Sequence, residues 1–360
     1  MSSQSAKQAT GRVITTAFEG ISSSNAWTRI AGHIFAHRLM IYICMLFVAS
    51  IGAYGYWVRT HTIFACQANG YSADRYLAYC NGTNYADYEH GAFQFNLEPS
   101  VQDSVRNAHV LLLGNSRLQI AFSTFATEQW FSSNLARYYL LGFLYYENAL
   151  FEGELLQRIH PQANVYIINV DDFFEESESV PMKMILHDPK AREAYEAKRF
   201  WQGVHERICG TFPALCGSQF VVFRSRDTGR YYTEGAVNPR EVPVSYDPVV
   251  NQAVAKTSIA TAANFLSRFA EKKCVILTMV PYSGTEIGTA EAIARGVGLR
   301  LITPEVEGLQ TFDGYHLDQP SAQRWSQAFF QAAGPEIRSC LDKRNATDNE
   351  ASPPLARPVR

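Results

Sequence analysis

A run of 20 residues without a charged side chain, from Leu39 to Val58, constrains this chain more than any other feature. At about 1.5 Å per residue, a helix of that length crosses the roughly 30 Å hydrocarbon core of a bilayer, and a buried core helix is usually shorter. A cleaved signal peptide is the alternative, and Ala53-Tyr54-Gly55 fits a cleavage site. However, 38 residues precede the run, far more than the usual charged segment of a signal peptide. We therefore interpret the run as an uncleaved transmembrane signal anchor.

The charges beside this run predict its orientation. Arg59 alone follows the run closely, whereas several basic residues precede it: Lys7, Arg12, Arg29 and Arg38. Because positive charge is retained on the cytoplasmic side, the pattern predicts a single-pass inner or plasma membrane protein. Residues 1–38 would be cytoplasmic, and residues 60–360 would be periplasmic or extracellular. The aromatic residues within 54–57 suit the outer membrane–water interface.

Beyond residue 105, apolar strands alternate with amphipathic helices. The predicted strands are 107–113, 137–141, 165–170, 274–280 and 299–303, and the predicted helices are 118–130, 143–159, 249–270, 286–297 and 321–333, the last with Ser321 as its N-cap. The third of these strands is continuously apolar apart from Asn169, as a parallel strand buried on both faces is. This alternation predicts an α/β fold over residues 106–340: a doubly wound, mostly parallel sheet with helices on both faces.

Three other segments depart from this alternation. Residues 59–105 show little periodicity, and we expect a stalk or strap between the membrane and the sheet. Residues 173–248 are too long for an ordinary loop, so we expect an insertion that caps or walls the site, with a helix over 189–209. The polar, proline-rich residues 341–360 are expected to be disordered.

Cysteine usage fits an oxidising compartment. Cys66 and Cys80 are close in sequence, as are Cys209 and Cys216, and each pair can form a disulfide, although sequence leaves the connectivity open. Cys274 opens a predicted strand, so we expect it to be a small buried hydrophobic residue. No pair has the CxxC spacing of zinc sites, and no metal or other cofactor is expected. A net charge of -2 without a basic stripe argues against a nucleic-acid partner.

Two short motifs, far apart in the sequence, contain the candidate catalytic residues. GNSR, which includes Ser116, follows the first predicted strand, and DGYH, which includes Asp313 and His316, lies near the C-terminus. A serine activated by a histidine that an aspartate orients is a nucleophile for ester hydrolysis or acyl transfer. The spacing of Asp313 and His316 allows both side chains to share one side of a helical turn.

Residues near the ends of the neighbouring strands are candidates for substrate contacts. Gly142 follows the second strand, and the third ends at Asn169, followed by Asp171 and Asp172. In a doubly wound sheet these ends meet at one edge, where ligands bind. A backbone N–H at Gly142 and a side chain from the third strand can contribute to an oxyanion hole. Gly142 is equally explained as a turn residue, and we favour a helix-capping role for the two aspartates. Arg117 fits either a surface charge or a substrate contact.

These motifs resemble the SGNH, or GDSL-like, hydrolases and acyltransferases over most of the α/β region. That family has a Gly-x-Ser turn after the first strand, a glycine after the second, Gly-x-Asn-Asp after the third and a C-terminal Asp-x-x-His. The resemblance implies that Ser116, His316 and Asp313 are catalytic and that Gly142 belongs to the oxyanion hole. The third block departs from the family, because residues 169–172 read NVDD, which leaves the third donor unassigned.

The single anchor and extracytoplasmic domain are similar to the membrane-anchored subset of this family that includes D-alanyl-lipoteichoic acid biosynthesis and alginate O-acetyltransferase-like proteins. The resemblance implies a serine esterase or O-acyltransferase that modifies a cell-envelope polysaccharide or glycan, with a membrane-bound O-acyltransferase as a partner and the bilayer contacted by residues 39–58. The alternative is a non-catalytic envelope protein that keeps the fold to bind a glycan or a membrane partner. The carboxylate at Asp171, in place of an amide, favours that alternative.

Overall fold

The computed structural model describes residues 24–234, 240–271 and 273–350. The chain divides into two compact units, with the boundary between Tyr56 and Trp57.

Helix α1 (Ser24–His61) contains the predicted apolar run. Among the described residues, the stretch His37–Thr60 is the one helix long and apolar enough to cross a membrane, with a mean hydropathy of 1.8 and exposed side chains. The prediction of one N-terminal helix suited to a membrane is therefore confirmed in length and composition. Residues 1–23 of the predicted cytoplasmic segment lie outside the described residues.

Strands and further helices follow α1 along the chain. The strands are β1 (Arg75–Cys80), β2 (Val110–Asn115), β3 (Tyr138–Phe143), β4 (Val165–Asn169), β5 (Val221–Ser225), β6 (Tyr231–Glu234), β7 (Val242–Pro243), β8 (Ser245–Tyr246), β9 (Cys274–Thr278), β10 (Ser283–Thr285) and β11 (Gln310–Thr311). The helices are α2 (Tyr88–Gln94), α3 (Pro99–Asn107), α4 (Ser116–Phe122), α5 (Phe125–Ser133), α6 (Ala149–Ile159), α7 (Val180–His187), α8 (Ala191–Thr211), α9 (Gln252–Phe269), α10 (Ile287–Val297) and α11 (Gln319–Glu350).

A parallel sheet in the strand order β3-β2-β4-β9 forms the centre of the second unit. Every residue of β2, β3 and β4 is buried. Leu111 and Leu113 of β2 pack into a core with α3, α6, α9 and α10, whereas Val110 and Leu112 pack into a second core with α4, α5 and α11. Alternate side chains of a strand point to opposite faces, so helices cover both faces of the sheet. This part of the predicted fold class is confirmed.

Several predicted elements differ in detail, and the helix predicted over 143–159 begins only at Ala149, after the N-cap residue Asn148. The helix predicted over 118–130 is two helices, because Thr124 starts a new one: its hydroxyl accepts the Thr127 N–H at 3.2 Å, as an N-cap does. The strand predicted over 299–303 is a single bridge between Leu301 and β9.

The last helix begins and ends differently from its prediction. Asp318 is the residue before α11, and its Oδ1 accepts the Ser321 N–H at 2.8 Å. The prediction of Ser321 as N-cap is therefore wrong, and Asp318 has that role. The helix continues to Glu350, past residue 341, where the sequence predicts disorder. Residues 351–360 lie outside the described residues.

A second, antiparallel sheet joins the strap to the insertion. β1, from the strap, pairs with β5 of the insertion, and β5 pairs with β6. The β5–β6 hairpin lies against β3, the edge strand of the parallel sheet. The Leu140 N–H donates to the Thr228 carbonyl at 2.9 Å, and Arg224 Nη2 donates to the Leu140 carbonyl at 2.6 Å. This hairpin therefore protects an edge strand that would otherwise expose unpaired backbone groups.

A buried ion pair holds these segments together. Arg224 of β5 donates to Glu89 of α2 at 2.7 Å, and both side chains are fully buried. The Tyr231 hydroxyl of β6 donates to the same carboxylate at 2.7 Å, as does the Leu144 N–H after β3 at 3.0 Å. Because burying a charge is costly unless it is paired and hydrogen-bonded, the connection between these segments depends on every hydrogen bond to the Glu89 carboxylate.

Three disulfides staple the second unit. They are Cys66–Cys80, Cys209–Cys216 and Cys274–Cys340. The first two join the pairs that are close in sequence. The expectation that Cys274 is only a buried hydrophobic residue is wrong, because α11 returns across the sheet and brings Cys340 to a Cα–Cα distance of 6.1 Å, 66 residues later.

Candidate active site

Ser116 lies where β2 turns into α4. Gly114 has φ +156°, and a Cβ atom there would lie 3.0 Å from the Cβ of Asn169, so the turn requires glycine. Asn115 Oδ1 accepts the Arg117 N–H at 3.0 Å and caps α4. As the first residue of the helix, Ser116 has an N–H without a partner inside it, at the end where the helix dipole favours negative charge.

The structure brings Ser116 and His316 into contact. Ser116 Oγ lies 2.8 Å from His316 Nε2, and His316 Nδ1 lies 2.6 Å from Asp313 Oδ2. The other carboxylate oxygen of Asp313 accepts the His316 backbone N–H at 2.8 Å. A carboxylate beside Nδ1 favours the tautomer with its proton on Nδ1, which leaves Nε2 to accept the serine proton. These three side chains have the geometry of a serine–histidine–aspartate triad.

The surroundings of Asp313 keep it charged. Burial acts to raise the pKa of Asp313, but hydrogen bonds from His316 and from the adjacent backbone outweigh burial, and the pKa lies below its ordinary value of 3.8. The carboxylate is therefore ionised at neutral pH and can stabilise a protonated imidazole. The Phe312 ring stacks on that imidazole with centroids 5.6 Å apart, which restricts its rotation.

Residues after β4 form a charged cluster around Arg117. The Arg117 guanidinium pairs with the buried Asp171 and lies 3.3 Å from Asp172. Asn115 Nδ2 also donates to Asp171, at 3.3 Å. Burial raises the pKa of Asp171 to about 7, and the charge of Arg117 opposes that rise. The helix-capping interpretation of both aspartates is wrong, because the next helix begins only at Val180. Arg117 is likewise a buried ion-pair partner and not a surface charge.

The sequence predicts that Gly142 follows the second strand of the sheet, but Gly142 lies within that strand, β3. It is paired with Gly114 of β2, and its N–H donates to Gln119 Oε1 at 3.1 Å. A Cβ atom at this position would lie 2.8 Å from the Asn115 carbonyl oxygen. The glycine therefore permits close packing of β3 against the nucleophile turn, and its N–H is already engaged by Gln119.

Asn169 ends β4 and is buried. Its Oδ1 accepts the Val280 N–H at 2.9 Å, whereas its Nδ2 has no hydrogen-bond partner among the described residues. An unpaired buried donor is costly, and this one belongs to the side chain beside the Gly114 turn. Of the predicted third-strand residues, Asn169 thus keeps a side-chain donor without a partner in the described part of the chain, although it is not among the residues that line the cavity with Ser116.

The segment after β3 is a feature that sequence reasoning missed. Tyr145 and Tyr146 have φ values of +64° and +58°. Residues other than glycine rarely adopt such φ values, which cost about 1–3 kcal/mol each. Residues with this strain cluster at functional sites. Both tyrosines line the cavity that contains Ser116 and His316. No local sequence signal marks them, because aromatic residues ordinarily favour extended backbone.

Ser116 and His316 line a cavity of about 810 Å³, in the size range of small-molecule sites. Both sheets contribute to its walls, and most of the lining side chains are apolar or aromatic. The residues from the parallel-sheet region include Ile120, Leu144, Phe312 and Leu317, and those from the antiparallel sheet and its approaches include Tyr79, Phe220, Val222, Tyr231 and Tyr232.

A buried carboxyl group lies behind the nucleophile turn. Glu152 of α6 accepts the Gly114 N–H at 2.9 Å and is fully buried. Burial raises the pKa of Glu152 well above its ordinary value, and the hydrogen bond from Gly114 opposes this only in part. Glu152 therefore supports the turn from a site in which burial disfavours its charged form.

One group of residues has the types and proximity that a metal site needs. It consists of His205, Cys209 and Cys216, all buried. The two cysteines form a disulfide, and His205 Nε2 is 3.1 Å from the Cys66 carbonyl oxygen. Because metals bind the thiolate form of cysteine, the group is structural in the oxidised protein.

No family model, curated protein or solved structure matches this chain. Its chemistry must therefore be argued from the site. An activated serine, a histidine base and a charged aspartate at the wall of a largely apolar cavity are the groups required for acyl transfer.

Proposed function

We propose that this chain is a membrane-anchored serine esterase or O-acyltransferase of the SGNH type, which works through an acyl-enzyme intermediate. The observation that carries the proposal is the 2.8 Å contact between Ser116 Oγ and His316 Nε2, with Asp313 2.6 Å from the other ring nitrogen. The position of the serine after β2 of a parallel sheet, with Asp-x-x-His before the last helix, also supports the SGNH assignment.

The triad geometry suggests the order of proton transfers. His316 Nε2 takes the proton as Ser116 Oγ attacks the ester carbonyl, and Asp313 stabilises the resulting imidazolium. The imidazolium then gives its proton to the leaving alcohol, and the acyl group stays on Ser116. A water molecule or an acceptor hydroxyl next loses its proton to His316 and attacks the acyl carbon. His316 then returns this proton to Ser116 Oγ as the bond between the serine oxygen and the acyl carbon breaks, which releases the acid or the new ester and restores the serine.

The developing oxyanion needs donors. The Ser116 N–H, at the start of α4, supplies one. Asp171 cannot serve while it is paired with Arg117, and the Gly142 N–H is bound to Gln119. We assign the second donor to the buried amide of Asn169, whose Nδ2 has no partner within the described part of the chain.

We place the catalytic unit outside the cytoplasm, with an envelope polysaccharide or glycan as substrate. Three disulfides support an oxidising compartment, and the basic residues before the span support a cytoplasmic N-terminus. The choice of a glycan, and of a membrane-bound O-acyltransferase as the acyl donor's source, rests on the resemblance in layout.

Labelling with a fluorophosphonate tests the nucleophile. We expect the full chain in detergent to be labelled, Ser116→Ala to lose labelling, and His316→Ala to lose most of it. Ser123→Ala is the matched control, since Ser123 lines the same cavity and should leave labelling intact. Full labelling of Ser116→Ala would contradict the proposal.

Acceptor dependence separates the two activities. Acetyl release from p-nitrophenyl acetate should rise on addition of an oligosaccharide if the enzyme is a transferase, with the acetyl group recovered on the sugar. An unchanged rate, with acetate as the sole product, would identify an esterase.

The second candidate is a non-catalytic envelope protein that binds a glycan or a membrane partner. The engagement of Asp171 with Arg117 and of Gly142 with Gln119 favours it, because both remove expected oxyanion donors. This alternative predicts no fluorophosphonate labelling of the wild type and unchanged glycan binding in His316→Ala.

A further inference from the structure

Helix α8 has an apolar stripe that no other part of the described chain covers. The stripe includes Phe200, Trp201 and Ile208 of the helix and continues through Phe212 and Leu215 in the short turn that follows. These five side chains are between 37% and 64% exposed. Large apolar side chains grouped in this way mark an interaction surface more often than singly scattered ones do.

The stripe is a distinct side of the helix. At 3.6 residues per turn, Phe200, Ile208 and Trp201 fall within an arc of about 100°. The buried side of α8, which includes His205, packs towards α2 and the turn Ile63–Ala65. A third side is exposed and polar and includes Glu206. The apolar stripe is therefore additional to the face that α8 uses for folding.

The end of the stripe is tied to the residues that follow the membrane span. Arg59, the first residue after the apolar run, donates from Nη1 to the Ala214 carbonyl at 3.5 Å. The Gly217 N–H donates to the Phe64 carbonyl at 2.7 Å. One side chain, that of Arg59, therefore connects the turn containing Phe212 to the end of the apolar run.

The turn is also held in place covalently. The disulfide Cys209–Cys216 joins the last turn of α8 to the residue after the 3₁₀ turn Pro213–Leu215. The exposed Phe212 and Leu215 are therefore presented on a closed loop of fixed length.

We propose that this stripe, from Phe200 to Leu215, is a membrane-binding surface that lies at the headgroup–acyl boundary of the bilayer which the N-terminal helix enters. Helices with one apolar side rich in aromatic and aliphatic residues bind at that depth, and tryptophan is enriched there. A bilayer is favoured over a second copy of the chain because Arg59, which contacts the turn at the end of the stripe, directly follows the apolar run. The inference rests on the membrane anchor of the proposed function and is independent of its chemistry.

Depth-dependent fluorescence quenching tests the surface in the full chain. The free cysteine in the span is first removed as Cys44→Ser. An NBD probe is then attached at Phe212→Cys, or at Glu206→Cys as the matched control on the polar side of the same helix. The proteins are reconstituted in phosphatidylethanolamine–phosphatidylglycerol vesicles with or without a nitroxide at acyl carbon 5. We expect blue-shifted emission and several-fold stronger quenching at position 212 than at position 206.

Other outcomes overturn the proposal. Equal quenching at both positions would mean that the domain is merely near the surface, and no quenching at position 212 would mean that the stripe faces away from lipid. Energy transfer between labelled copies that rises with protein density, without nitroxide quenching, would assign the stripe to a second copy of the chain.

A second variant distinguishes binding from folding. With the probe at Ile208→Cys, the added changes Phe212→Ser and Leu215→Ser should abolish most quenching. The thermal unfolding temperature should not change, because both side chains are largely exposed. A fall in both quantities together would indicate a structural role.

Discussion

The two larger sheets of the second unit are built in opposite ways. The parallel sheet takes its strands from successive strand–helix segments, and β2, β3 and β4 pair with near neighbours in sequence. The antiparallel sheet pairs β1 with β5. Their partner residues Arg75 and Ser225 are far apart in the sequence. A sheet of the first kind can be read from local patterns, whereas one of the second kind depends on the rest of the molecule.

The sheets also contribute differently to the candidate site. The parallel sheet positions Ser116, at the end of β2, whereas residues at and before β5 and β6, such as Phe220 and Tyr232, form one wall of the cavity. Under the proposed function, the parallel sheet positions the catalytic serine, and the antiparallel sheet selects the substrate. Four predictions test this division, beginning with the largest effect.

The stability of the protein should be most sensitive to the buried ion pair of Arg224 and Glu89, which connects the two sheets. Arg224→Met leaves Glu89 buried without its counter-charge, and we expect a loss of about 3–5 kcal/mol in unfolding free energy. Urea unfolding of the full chain in detergent measures it.

Two controls accompany this change. The exposed pair of Arg192 and Glu196 is the first, and Arg192→Met should change stability by less than about 1 kcal/mol. The second is Glu89→Gln combined with Arg224→Met, which should recover part of the loss. A small effect of Arg224→Met alone would show that the sheets do not depend on this ion pair.

The disulfides compare the two regions directly. Cys274 and Cys340 are 66 residues apart in the parallel-sheet region, and Cys66 and Cys80 are 14 apart beside the antiparallel sheet. Closure of a longer loop removes more entropy from the unfolded chain, so double serine variants should lose about 4 and about 3 kcal/mol respectively. Unfolding in urea gives both values. The reverse order would show that burial of a disulfide, and not the length of the loop it closes, determines its contribution to stability. The sulfurs near the antiparallel sheet are the more deeply buried pair.

The pH dependence of stability should reveal Glu152. Burial raises its pKa well above the ordinary 4.5, so the folded protein keeps a proton that the unfolded chain releases above about pH 4.5. Wild-type stability should therefore fall, relative to Glu152→Gln, as the pH rises from that value, by at most about 1.4 kcal/mol per pH unit. Thermal unfolding from pH 4 to pH 8 measures the difference. Glu154→Gln, on the exposed side of the same helix, should show no such trend, and a difference of constant size would mean that Glu152 is ionised in the folded protein.

The smallest predicted effect concerns the cavity wall. Phe220 lies 6.2 Å from Tyr79, centroid to centroid, and both line the cavity. On the proposed function, Phe220→Ala should raise KM about tenfold through lost apolar contact and leave kcat nearly unchanged. The exposed Phe125 is the control, and Phe125→Ala should leave both constants unchanged. A fall in kcat at constant KM would show that this wall orients the catalytic groups.

Much of the parallel sheet could be predicted because each strand is a short apolar run that ends at a polar or glycine residue. The contact of Ser116 with His316 was predicted from their two motifs, and not from the parallel sheet alone, because the histidine follows β11, which is not a strand of that sheet. The donors around the oxyanion could not be predicted. The partner of Gly142 is Gln119 on α4, and Asp171 is held by Arg117. Neither pairing is marked by a pattern in the sequence of its own segment.

Local patterns in the chain were thus enough for the apolar span, the α/β alternation and the identity of the candidate triad, because hydrophobic periodicity and strand–turn–helix motifs act over about ten to twenty residues. The antiparallel sheet, the Cys274–Cys340 disulfide and the position of the α8 stripe beside Arg59 required the folded chain. Each of these depends on contacts between segments far apart in sequence. Such contacts are selected by how the whole core packs, and the intervening residues do not encode them.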